Sequence, residues 1–72
     1  MNMETIETLA DALPKEMARV RKILVSYKEI GPAGMVGAVF IEQDLRNADA
    51  AVMSGDVVAM LQALHTLKQI DD

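Results

Sequence analysis

From Ile6 onward the apolar residues fall in alternating steps of four and three: Ile6, Ala10, Leu13, Met17, Val20, Leu24 and Tyr27. Side chains three or four positions apart share a face of an α-helix, so this spacing draws one apolar stripe along a helix. The same stepping returns at Gly34, Ala38, Ile41, Leu45, Ala48 and Val52. A shorter version aligns Val57, Met60, Leu61, Leu64 and Leu67. No stretch alternates with the period of two that a half-buried strand requires. The spacing predicts an all-α fold, a small bundle of three main helices in a single domain spanning 1–72.

Two short segments punctuate the pattern. In "IGPAG" Gly31 can take a left-handed conformation at a helix end, and Pro32 blocks continuation. In "SGD" Gly55 ends one helix and Asp56 can cap the next through its carboxylate. A joint this short makes the last two helices antiparallel neighbours. Pro14 is the third punctuation mark. An interior proline costs a helix about 3 kcal/mol and disfavours helical angles at the residue before it. The expectation is a short extra helix from about Met3 to Ala12, capped by Asn2, and then a longer one from Pro14 to about Ile30. A single kinked helix is the competing reading. The remaining helices are expected over about Gly34 to Met53 and Val57 to Ile70.

Only 72 residues supply the core, and none is cysteine. A chain this short buries little more than half of its unfolded surface, and such scaffolds draw on disulfides, metals or association for stability. Disulfides and thiolate metal sites are excluded here. The absence of cysteine permits a cytoplasmic location, which is expected. The opening "MNMETIETLADAL" has neither the basic start nor the apolar run of a secretory signal. The longest uncharged run, Ile30 to Ile41, has twelve residues and a proline, too few to span a bilayer.

That uncharged run carries the main functional expectation. On a helical wheel Val36, Val39 and Phe40 point away from the stripe that begins at Gly34. A helix apolar on all sides is covered on all sides, and one layer of neighbours covers one side only. The simplest cover is a second copy, and two-fold dimers dominate among soluble homo-oligomers. The expected interface is Val36, Val39 and Phe40, with Gly34, Gly37 and Ala38 allowing close backbone approach. The alternative is the amino-terminal helix folding back over these residues.

A rival class is a small-ligand or anion site in a glycine-rich loop, 31–37. Glycines at 31, 34 and 37 could present amides to an anion, but their spacing matches no phosphate-binding motif and they follow a helix instead of a strand. No catalytic, cofactor-binding or metal-ligating set emerges. His65 is the lone histidine, with no ligand partner three or four residues away. Ser54 beside Gly55 reads as turn chemistry. Tyr27 continues the first stripe and is expected to pack its ring and hydrogen-bond near the joint. Glu42, Arg46 and Asp49 have the spacing of surface ion pairs along one helix.

Charge is uneven. Residues 1–13 carry three acids, and 14–30 carry five bases against two acids. Lys15, Arg19 and Lys22 share one face and form a candidate second, partner-binding surface. The whole chain is net −4, so non-specific nucleic-acid affinity is expected to be poor. A solvated face, or pairing with acidic residues of the same or another copy, suits the stripe better.

"YKEIGPAGMVGA" and "AVMSGDVVAM" resemble segments of short all-helical bacterial proteins, some of them phage-associated. The likeness runs from Leu13 onward. It implies a helical fold and carries no established activity or functional residue. The helix, Gly-Asp, helix joint also resembles part of a tetratricopeptide unit, without the recurrence at about 34 residues that such arrays need. Together these features point to a non-enzymatic interaction module that self-associates, with no cofactor and with an unknown protein as a further partner.

Overall fold

A computed structural model describes the backbone of residues 3–71 and the side chains of 8–71. The capping role of Asn2 and the burial of Ile6 fall outside the described residues. Three helices follow one another: α1 (Met3–Ile30), α2 (Pro32–Ser54) and α3 (Val57–Lys68). Arg21 of α1 meets Asp49 of α2, and Lys28 meets Glu42, so α1 and α2 run antiparallel. The second joint reverses the chain again. Among the described residues there is no strand.

The joints work as their residues dictate. Gly31 has φ +103° and ψ −153°, a region that only glycine occupies at low cost. Pro32 then opens α2 at its first position, where its missing N–H is no loss. The helix thus starts two residues earlier than expected. Gly55 closes α2 at φ +69°, its N–H donating to Ala51 and Val52 carbonyls. Asp56 caps α3, its carboxylate accepting from the Ala59 N–H at 3.2 Å.

Pro14 does not end a helix. A single α1 runs through it, which corrects the expectation of a separate front helix. Pro14 sits on the exposed side, whereas Leu9, Leu13, Met17 and Val20 around it are buried. Burying each of those four side chains stabilises by about 1.5–3 kcal/mol, more in sum than the proline costs.

The core is Leu13, Met17, Val20 and Ile23 of α1, Ile41, Leu45 and Ala48 of α2, and Ala63 and Leu67 of α3. Leu24, Tyr27, Met60, Leu64 and Ile70 pack around it. The buried stripe of α1 takes Leu9 where Ala10 was expected, and Ile23 ahead of Leu24. Since α1 faces two helices at once, its covered face is broader than a single seam. On α2 the last buried position is Ala51, with Val52 left exposed. On α3 the helix turns Ala63 inward, and Leu61 looks outward.

The bundle is a rod of 44 × 17 × 16 Å with a radius of gyration of 13.0 Å. A compact domain of this length has a radius of about 11 Å. The elongation follows from α1, whose 28 residues at about 1.5 Å each span nearly the whole length, while α3 has only 12 residues against 23 in α2. At about 1.5 Å per residue it covers roughly half of the α1–α2 hairpin.

Candidate self-association surface on α2

The inner face of α2 explains the glycines. Gly34 is buried, and a Cβ there would collide with the Tyr27 carbonyl oxygen and stand 2.9 Å from Ile30 Cβ. At Gly37 a Cβ would lie 2.7 Å from two ring atoms of Tyr27. Both glycines therefore let α1 and α2 approach within one chain. They are not part of the outward interface assigned to them from sequence. Tyr27 lays its ring against α2, and its hydroxyl donates to the Asp71 carbonyl at 3.4 Å. Its hydrogen bond thus goes to the tail after α3, not to the neighbouring joint.

The outer face of α2 is the opposite case. Phe40 is 68% exposed, Val36 65% and Val39 58%, and Met35 beside them is 44% exposed. The amino-terminal helix does not fold over them. They lie on the side of α2 opposite the one that Tyr27 of α1 packs against at Gly34 and Gly37. Ile30 at the tip adds another exposed apolar side chain. The wheel position of Met35, close to Val39, was the available signal for including it.

A polar network bounds the patch. Arg46 Nη2 donates to Gln43 Oε1 at 2.9 Å, and Gln43 Nε2 donates to Asn47 Oδ1 at 2.9 Å. These three residues occupy the middle of the same face, so the outer side of α2 is apolar near the tip and polar directly beyond it, with Met53 exposed again near the far end.

The basic stripe is divided. Arg19 is drawn into the fold: its Nε donates to both Glu16 carboxylate oxygens at 2.8 and 2.9 Å, its Nη1 to the Ile70 carbonyl and its Nη2 to the Leu67 carbonyl, both at 2.9 Å. The Leu67 carbonyl already accepts from the Ile70 N–H, so Arg19 adds a second donor there and ties down Ile70, just beyond the end of α3. Lys15 and Lys22 are exposed and form no ion pair among the described residues. Lys15 and Arg19 line an open groove between α1 and α3 with Ala12, Glu16, Leu64 and Lys68.

Other charges pair between helices, where the sequence suggested pairing along α2. Lys28 Nζ lies 2.9 Å from Glu42 Oε1, and Arg21 lies 3.7 Å from Asp49. The hydrogen bond and charge of Lys28 hold the Glu42 carboxyl below its ordinary pKa, with a smaller contribution from Arg46. The 31–37 segment is not a loop, since Pro32 through Gly37 form the first turns of α2. His65 is exposed in the last turn of α3. Among the described residues no group of three or more His, Asp or Glu is placed to hold a metal ion, and no helix is long and apolar enough to cross a membrane.

Compared with known proteins, the chain matches no family model, no curated protein and no solved structure.

Proposed function

We propose that this protein is a non-enzymatic helical interaction module that self-associates as a two-fold dimer through the outer face of α2. One observation carries the reading: Val36, Val39 and Phe40 stand together, each more than half exposed, on a helix face that no other described residue covers. The protomer exposes 4823 Å². A monomer of its mass is expected to expose about 4,400 Å². Covering a valine, methionine or phenylalanine completely stabilises by about 1.5–3 kcal/mol, and these begin roughly half covered. Four such side chains from each of two copies gain on the order of 10 kcal/mol, against an association cost of about 4–15 kcal/mol. The dimer that follows is weak and depends on concentration.

The charged groups support a non-enzymatic role. Glu16 with Arg19, Arg21 with Asp49 and Lys28 with Glu42 are taken up in pairs that tie the helices together. We assign the protein to the cytoplasm on its cysteine-free composition, and to bacteria on the resemblance of its two joint segments.

Sedimentation equilibrium over micromolar to millimolar concentrations tests the proposal. The wild-type mass should rise toward twice the 7.8 kDa of the chain. Phe40→Glu should stay at the monomer mass while keeping its helical circular dichroism. A variant that is folded and associates like wild type places the interface elsewhere.

A further inference from the structure

Granting the self-association reading, we infer that the two copies overlap only at their hairpin tips, with α2 packed antiparallel to the partner's α2 about an axis near Gly37 and Ala38. Three observations select this arrangement. The apolar run that starts the outer face is interrupted after Phe40 by the Gln43, Arg46 and Asn47 network, and the next large apolar side chain on that side is Met53, near the far end of α2. An overlap limited to the tip sets the cluster against itself and keeps the polar network out of the contact: Val36 comes level with the partner's Val39, and Met35 with the partner's Phe40.

Charge makes the same choice. Each copy is net −4, yet no residue from Ile30 to Ile41 is charged. The opposite end of the rod carries Asp11 and Asp56, whereas Asp49 is paired with Arg21 of the same copy. Side-by-side parallel packing would set these acidic ends against each other and would bring Arg46 against the partner's Arg46. In the antiparallel tip overlap the two Arg46 residues stand 17 helix positions apart, about 26 Å along the axis. The acidic ends point in opposite directions.

Space permits it too. At the tip α1 lies on the inner side of α2, where Tyr27 meets Gly34 and Gly37, and α3 flanks α2 at Asp44 and Asn47, beyond the overlap, so the partner's α2 meets no obstacle there. A short overlap buries less than the roughly 1,200 Å² of a standard interface, as a weak dimer should. Added salt, by screening the net charge, should strengthen it.

The absence of native cysteine allows a single spin label at Ala50→Cys, an exposed position on the outer face of α2 beyond the overlap. Double electron–electron resonance on the dimer should give a mean separation near 38 Å, from 25 helix positions at about 1.5 Å each. Small-angle scattering of the unlabelled dimer should show a particle far longer than the 44 Å of one rod. A label separation under about 20 Å, the spacing of helices side by side plus the label arms, overturns the antiparallel arrangement while leaving self-association intact. Monomer mass throughout for the unlabelled protein overturns both.

Discussion

The ring of Tyr27 lies against the backbone of Gly37, so close that a Cβ at position 37 would stand 2.7 Å from Cδ1 and from Cε1. A turn earlier, the Tyr27 carbonyl occupies the place a side chain at Gly34 would need. The two glycines look alike in sequence, yet their obstacles differ. At Gly37 the obstacle is a side chain that can swing; at Gly34 it is main chain. Alanine gains about 1 kcal/mol of helix propensity at either site. For Gly37→Ala that gain nearly cancels the cost of moving the ring, leaving stability within about 1 kcal/mol of wild type. For Gly34→Ala the helices must separate, and a net loss of about 2–3 kcal/mol is expected. Urea unfolding of the two variants should rank them in that order.

Arg19 joins the middle of α1 to the end of α3 by hydrogen bonds to Leu67 and Ile70 carbonyls. Its side chain is 38% exposed, so the bonds are partly screened. Arg19→Met should lower stability by about 1–2 kcal/mol, a fall in Tm of roughly 4–8 °C for each kcal/mol in a domain of this size. Arg19→Lys should recover only part of it, because one ammonium cannot span two carbonyls and Glu16 at once. Amide exchange in α3 should accelerate more than in α2. Equal acceleration in both helices would argue against a local clamp.

The pair between Lys28 and Glu42 makes stability depend on pH. The Glu42 carboxyl is held below its unfolded value when folded. Its contribution is therefore complete above the ordinary carboxylate pKa and is lost as pH falls through the lowered folded value. Thermal melts of wild type and Glu42→Gln should differ most near neutrality and converge in acid. Because the pair is on the surface, high salt should narrow the gap. A gap that persists unchanged at low pH would assign it to packing instead.

Pro14 leaves the Ala10 carbonyl without its usual helical donor. Restoring an N–H by Pro14→Ala should remove much of the roughly 3 kcal/mol interior penalty, less the 0.4–1 kcal/mol or so by which proline restricts the unfolded chain. A net gain of about 1–2 kcal/mol is expected in chemical denaturation. Loss of stability on this change would mean that the proline shapes α1 usefully.

The fold was readable wherever its cause is local. Apolar residues three and four apart define a helix face within a few residues of chain, so the three stripes announced three helices. Gly31–Pro32 and Gly55–Asp56 announced their joints, since positive φ and a capping carboxylate act on immediate neighbours. The outward set of Val36, Val39 and Phe40 followed from the same wheel. The tertiary structure decided everything that depends on distant partners. Arg19 finds its carbonyls 48 and 51 residues away, so its removal from the basic stripe had no local sign. Pro14 is tolerated because Leu9, Leu13 and Met17 are buried against other helices. Gly34 and Gly37 face inward because Tyr27 crosses them, which leaves Val36, Val39 and Phe40 on the uncovered side of α2. Spacing along a chain determines which faces are apolar; only docking of the helices determines which of those faces is covered.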